Sequence, residues 1–204
     1  MIIGIPKEII KDETRVAAIP STVKQFIAVG FSVIVESNAG LDSQISDLDF
    51  KDVGAKIVAS SSEVFNQSDI ILKVNSPTNE EISMIKDNSS YLSFFQTMKE
   101  KDKVIALQNK NVTGYSMHLI PRTTLAQKMD ALSSQTNIAG YKAVLIASCH
   151  IEKYMPLLMT AAGTIPPAKV LVLGAGVAGL SAIATAKRLG AQVEASDVRP
   201  EVKE

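Results

Sequence analysis

From Ile2 to Ser116 the chain alternates short apolar runs with stretches whose apolar residues return at helical spacing. Ile2–Ile5 is apolar throughout, as a strand buried in a sheet must be. Residues 20–29 place Val23, Phe26 and Ile27 on one helical face, and Gly30 closes the turn. Phe31–Glu36 is rich in β-branched residues and predicts a second strand. Helix and strand then repeat: Asp47–Val53 and Lys56–Val58, Ser62–Gln67 and Asp69–Val74. Thr78 and Glu81 form a capping box that opens a helix running to about Ile85. Tyr91–Phe95, Asp102–Asn109 and Val112–Ser116 complete the series as strand, helix and strand. Such alternation predicts a parallel, doubly wound sheet with helices on both faces.

The rhythm changes at Met129. From there to His150 only Asp130 and Lys142 are charged, no proline intervenes, and one long helix is expected. It would span roughly 30 Å, enough to join one domain to the next. The expected division is an N-terminal α/β domain over residues 1–133 and a second Rossmann-like domain over residues 134–204. Residues 152–167 read as a looser connection ending at Pro166-Pro167. Beyond it lie a strand, Val170–Leu173, a helix from Val177 to Leu189 stopped by Gly190, and a strand, Gln192–Ser196, that ends on Asp197. Pro200 suits the first turn of a further helix. The fold class expected is α/β, two doubly wound Rossmann-like domains joined by a long helix. Only βαβ of the second is present, so the chain is expected to be part of a longer protein.

Between the strand and the helix stands Gly174-Ala175-Gly176-Val177-Ala178-Gly179, a G-x-G-x-x-G loop. In a dinucleotide site the first glycine permits a tight turn, the second lets a pyrophosphate approach the backbone, and the third lets helix and strand lie close. Amides at the helix start, Val177 included, favour a phosphate. Asp197 stands about 20 residues on, where an acid accepts hydrogen bonds from a ribose diol and repels a 2′-phosphate, which favours NAD over NADP. Val198 and Arg199 flank that position, and an arginine there can accommodate a 2′-phosphate. The plainer reading is a glycine-rich turn that only packs a βαβ unit.

Composition excludes more than it assigns. The 204 residues balance 21 basic against 21 acidic side chains, which gives no electrostatic case for nucleic acid. One cysteine, Cys149, excludes an internal disulfide. No apolar run reaches the roughly 20 residues of a membrane span. A strand beginning at Ile2 leaves no room for a signal peptide, so a cytosolic or matrix-like setting is expected. Cys149-His150 lacks the partners of a metal set, and no metal is expected.

Three stretches, IPKEIIKDETRVAAIP, PRTTLAQKMDALSSQTNIAGYKAV and MTAAGTIPPAKVLVLGAGVAGLSAIATAKRLGAQVEASDVRP, carry a resemblance. They are similar to the NAD-binding domain I of the alpha subunit in proton-translocating NAD(P) transhydrogenases, within the alanine dehydrogenase/transhydrogenase superfamily. The resemblance implies NAD(H) binding, a homodimer, and hydride transfer to NADP(H) held by a partner domain on the beta subunit. It also implies coupling to proton movement through a membrane domain. The setting implied is peripheral, on the cytoplasmic side of the bacterial inner membrane or in a mitochondrial matrix. It maps the family's cofactor-contacting loop onto Arg122, Thr123, Thr124 and Gln127, and a catalytic set onto Arg122, Gln127, Asp130 and Ser133. Read alone, those residues are a solvated loop and a helix cap. Leu125 stands where many relatives have a second arginine. The chain alone is expected to be inactive.

Two alternatives stay open. Alanine dehydrogenases share the fold, and Arg15 and Lys73 match their carboxylate-holding positions. Amine oxidation needs a proton acceptor, however, and the family's histidine position reads Gln96 here. The other alternative is a non-catalytic NAD-binding module.

Overall fold

The structure is a computed structural model and describes residues 1–203. The chain divides into two compact units, Met1–Thr123 and Thr124–Glu204. The first holds β1 (Ile2–Ile5), α1 (Pro20–Ala28), β2 (Ser32–Glu36), α2 (Asp47–Asp52), β3 (Lys56–Val58) and α3 (Ser61–Gln67). It continues with β4 (Ile70–Leu72), α4 (Asn79–Met84), β5 (Ser90–Ser93), α5 (Lys101–Asn109) and β6 (Thr113–Ser116). The six strands form one parallel sheet in the order β3-β2-β1-β4-β5-β6. This is the strand order of a doubly wound Rossmann sheet, with its switch point between β1 and β4.

Period-two alternation in these strands puts a separate core on each face. Ile3 and Ile5 of β1 and Val33 and Val35 of β2 join Val23 of α1 and Phe50 of α2 on one side. Ile34 of β2 joins Val64 of α3 on another, and Ile71 of β4 packs with Phe65, Ile82, Tyr91 and Leu107. Local chemistry ends the elements where hydrogen bonding requires it. Ser46 and Thr78 each accept an amide three residues on while Asp49 and Glu81 reach back to them, two reciprocal capping boxes.

The second unit holds α6 (Ala131–His150), β7 (Leu158–Thr160), β8 (Gly163–Ile165), β9 (Lys169–Leu173), α7 (Val177–Arg188) and β10 (Gln192–Ser196). β9 and β10 pair in parallel, Val170 beside Val193 and Leu173 beside Ser196. Val144 of α6, Met155, Ala168 and Ala186 of α7 are its buried core. The segment expected to be loose is an antiparallel hairpin instead, β7 with β8, Thr160 pairing Gly163 across Ala161-Ala162. Its tip lacks the Asn-Gly or Asp-Gly pair that signals a two-residue turn, and the one positive φ of the hairpin falls on Gly163, just past the two turn residues. The long helix starts at Ala131 rather than Met129, because a 3-10 turn over Thr124–Met129 precedes it and Asp130 caps it. Among the described residues no helix is long and apolar enough to cross a membrane.

Ile71 is wholly buried in the central strand of the first unit. Ile71→Ala is expected to cost about 2–5 kcal/mol in denaturant unfolding, through lost transfer energy and the cavity left behind. A loss below about 1 kcal/mol would contradict the full burial of Ile71.

Candidate functional site

The glycine loop leaves β9 with Gly174 at φ +95, a left-handed conformation that side chains disfavour. Gly176 is extended and is the N-cap of α7, and a Cβ there would meet open space apart from the Arg199 guanidinium at 3.9 Å. At Gly179 a Cβ would overlap the carbonyl oxygen of Gly174 and come within 3.6 Å of Val172. The three glycines therefore divide their work as a turn, an open approach and a close packing. α7 rises from the loop with its first-turn amides uncommitted to the helix ladder, as at any helix start, and no acidic side chain in that turn. Val177, its first residue, is exposed. Such a terminus attracts an anion.

The loop is also tied to the end of β10. The Gly174 amide donates to the Ser196 carbonyl at 2.7 Å, and the Ala175 amide donates to Asp197 Oδ2 at 2.7 Å. Arg199 closes on the same carboxylate, its backbone N and Nε reaching Oδ1 at 2.9 and 3.0 Å and its Nη2 reaching Oδ2 at 2.9 Å. These bonds, those from the Arg199 side chain foremost, hold the Asp197 carboxyl well below the usual carboxylate range. The structure thus brings together Gly174, Gly176, Gly179, Asp197 and Arg199, while Val198 points fully into solvent.

The remaining expected residues lie elsewhere in the chain. Arg122 and Thr123 end the first unit in an exposed turn, and Thr124 and Gln127 are exposed in the 3-10 turn that opens the second. Leu125 is almost completely exposed. Asp130 caps α6: it accepts from the Ser133 amide at 2.9 Å and the Ser133 hydroxyl at 2.6 Å. That pair acts as a helix cap in this structure, and any contact with a ligand would have to share it.

One positioning residue escaped the sequence reading. Gly140, buried inside α6, lies so close to the start of α7 that a Cβ would overlap the Ala178 carbonyl. The signal was present, because a glycine in a helix interior costs about 1 kcal/mol against alanine and calls for a reason.

The strands of the first unit are parallel like β9 and β10, but their carboxyl end is different. No glycine loop follows β1; Pro6-Lys7-Glu8 does. Lys73, after β4, donates to Glu81 at 2.6 Å and lies 3.7 Å from Glu8, all three side chains being buried. Glu8 in turn accepts from the Val74 amide at 2.6 Å and from Asn75. Arg15 forks onto Glu13 at 2.8 and 2.6 Å. Both cations that match a carboxylate-binding site are thus paired with the chain's own carboxylates. Gln96 is exposed ahead of a turn, its backbone N–H donating to Glu100 Oε2 at 2.7 Å. Among the described residues no group of three metal-ligating side chains gathers.

Comparison with known proteins shows the family of the chain. The N-terminal-domain model of the alanine dehydrogenase/PNT family matches residues 4–139, and the C-terminal-domain model matches residues 143–204. The chain belongs to that family. It is 48% identical over its whole length to the NAD(P) transhydrogenase subunit alpha of Haemophilus influenzae, of which it spans 40%. Transhydrogenase from Sinorhizobium meliloti superposes on all of the chain with a TM-score of 0.95 at 43% identity, and the chain covers 58% of it. An L-alanine dehydrogenase is more distant, at 27% identity and a TM-score of 0.86 over 99% of the chain and 56% of its own length. The chain spans about half the length of the relatives it matches. The α/β, Rossmann-like fold expected from the sequence is the fold these structures share.

The Glu13–Arg15 pair makes a pH prediction. Hydrogen bonds from Arg15 lower the Glu13 carboxyl from 4.5 to about 2. A depressed acid stabilises the fold above its unfolded pKa, and that contribution disappears as pH falls through the folded one. Stability attributable to the pair should therefore be whole above about 4.5 and gone below about 2. Carbon-detected NMR titration of Glu13 measures this, and Arg15→Ala should return its midpoint towards the ordinary glutamate value. A wild-type midpoint already at that value would refute the pairing.

Proposed function

We propose that the chain forms the NAD(H)-binding part of an NAD(P) transhydrogenase. In this reading NAD(H) exchanges hydride with NADP(H) held by a partner domain on a beta subunit, and the exchange is coupled to proton translocation across a membrane. The observation that carries the proposal is the loop around Gly174, Gly176 and Gly179 with Asp197 bonded to the Ala175 amide. In this reading it would set an anion site beside a diol acceptor. The loop and the start of α7 would hold the pyrophosphate, and Asp197 the adenosine ribose, with Val198 and Arg199 lining that end of the site. Arg122, Thr123, Thr124 and Gln127 would contact the nicotinamide half, with Asp130 and Ser133 supporting the loop. The relatives' designation as an alpha subunit supports partner subunits, and the resemblance adds a homodimer that joins its membrane domain through them, facing the bacterial cytoplasm or, in a eukaryote, the mitochondrial matrix.

Alanine dehydrogenation is the second reading, supported by shared ancestry and by Arg15 and Lys73. It is weaker on chemistry. A substrate carboxylate would have to displace Glu13 and Glu81, and Gln96 offers no proton acceptor. Transhydrogenation asks neither of this chain, because a hydride passes between two rings without an acid or base from the protein. The protein must only hold one nicotinamide against another at roughly 3 to 3.5 Å.

NMR titration of the chain with NADH and NADPH, carried to millimolar ligand, should give a dissociation constant at least tenfold lower for NADH. Equal constants would remove Asp197 from the ribose site. In the assembled complex, Gln127→Asn should slow stopped-flow hydride transfer tenfold or more, on the order of 1.4 kcal/mol in the barrier. NADH affinity should change much less. Collapsed affinity with an unchanged transfer step would make Gln127 a binding residue only.

A further inference from the structure

We infer that Arg199 sets the ribose specificity of the glycine-loop site by competing with the ligand for Asp197. The inference rests on the reading of that loop as a dinucleotide site. A carboxylate has about four lone-pair positions. Those of Asp197 meet four protein donors: the Ala175 amide, the Arg199 amide, and Nε and Nη2 of the Arg199 fork. The two amides belong to the backbone of the site and stay in place. A ribose diol, which needs the same oxygens, can enter only by displacing the fork. The fork is the solvent-facing member of the pair: its side chain is 56% exposed whereas that of Asp197 is 10% exposed.

The pairing also changes the electrostatics of discrimination. A bare carboxylate repels a 2′-phosphate, but an aspartate joined to a guanidinium carries no net charge, so the repulsion is blunted. The guanidinium also overhangs the loop, its Nη2 lying 3.9 Å from where a Cβ on Gly176 would stand. A released fork is therefore beside phosphate-binding backbone and presents planar donors that suit a phosphate. Arg199 thus weakens the preference that Asp197 creates: it obstructs the diol and shelters the phosphate.

The test uses ADP-ribose and 2′-phospho-ADP-ribose, which probe the adenosine end without the nicotinamide, on wild type, Arg199→Ala and Arg199→Lys. In Arg199→Ala the ratio of the two dissociation constants should move at least tenfold towards ADP-ribose. Arg199→Lys, with a charge but no fork, should fall between. In wild type, saturating ADP-ribose should shift the Arg199 Nε–H resonance and speed its exchange with water, which a merely structural arginine would not show. A ratio within twofold of wild type in Arg199→Ala, or an Nε–H signal unmoved at saturation, overturns the inference while leaving the dinucleotide site standing. Failure of wild type to bind either probe overturns the site reading and this inference together. Should Arg199→Ala not fold, the lysine variant and the wild-type resonance decide.

Discussion

The second unit depends on one contact that tolerates no side chain. The carbonyl oxygen of Gly174 occupies the place where any Cβ on residue 179 would stand. Helix α7 can therefore lie directly on the end of β9, and its first amides emerge just beyond the strand. From the other side Gly140 lets α6 press on Ala178, so the first turn of α7 is fixed from both directions by backbone. The Gly174 and Ala175 amides then bind the loop to Ser196 and Asp197 at the end of β10. The open first-turn amides and the Asp197 carboxylate are thereby held in a single frame, and the proposed chemistry needs only that frame for this half of the cofactor.

The two units show how little parallel strand pairing says about function. In the first, the Lys7 amide after β1 donates to Glu36 at the end of β2, as the Ala175 amide after β9 donates to Asp197 after β10. Glu36 is half-buried, and burial pushes its carboxyl up. Asp197, paired with a guanidinium, is held down instead. Where the second unit has glycines and open amides, the first has Glu8, Lys73 and Glu81 buried against one another. Burying such charges carries a desolvation penalty that only close pairing offsets, and removing one partner would strand the others. That end of the first sheet is closed by its own side chains.

Much of this was legible in the sequence because local pattern and tertiary environment agree. Buried strands such as Ile2–Ile5, the Thr78 capping box and the glycine spacing each follow from rules that act over a few residues. What escaped depends on contacts between segments distant in sequence. The β7–β8 hairpin turns at Ala161-Ala162, residues with no turn preference, and the Thr160 hydroxyl accepts the Ala162 amide across the tip at 3.2 Å. Gly140 acquires its meaning only when α7 arrives. Arg199 could be seen near the acid, but not that its fork would fill the carboxylate. Asp130 and Ser133 could be read as a cap or as ligand contacts, and the structure supplies the cap.

The central claim is that the dinucleotide enters at the start of α7 and not at the carboxyl end of the six-stranded sheet. Amide chemical-shift mapping of the chain with ADP-ribose tests it most directly. The account predicts shifts concentrated at residues 174–180 and 197–199, with the Lys73 and Arg15 surroundings unmoved. Shifts centred on Glu8, Lys73 and Asn75, with the glycine loop silent, would contradict it.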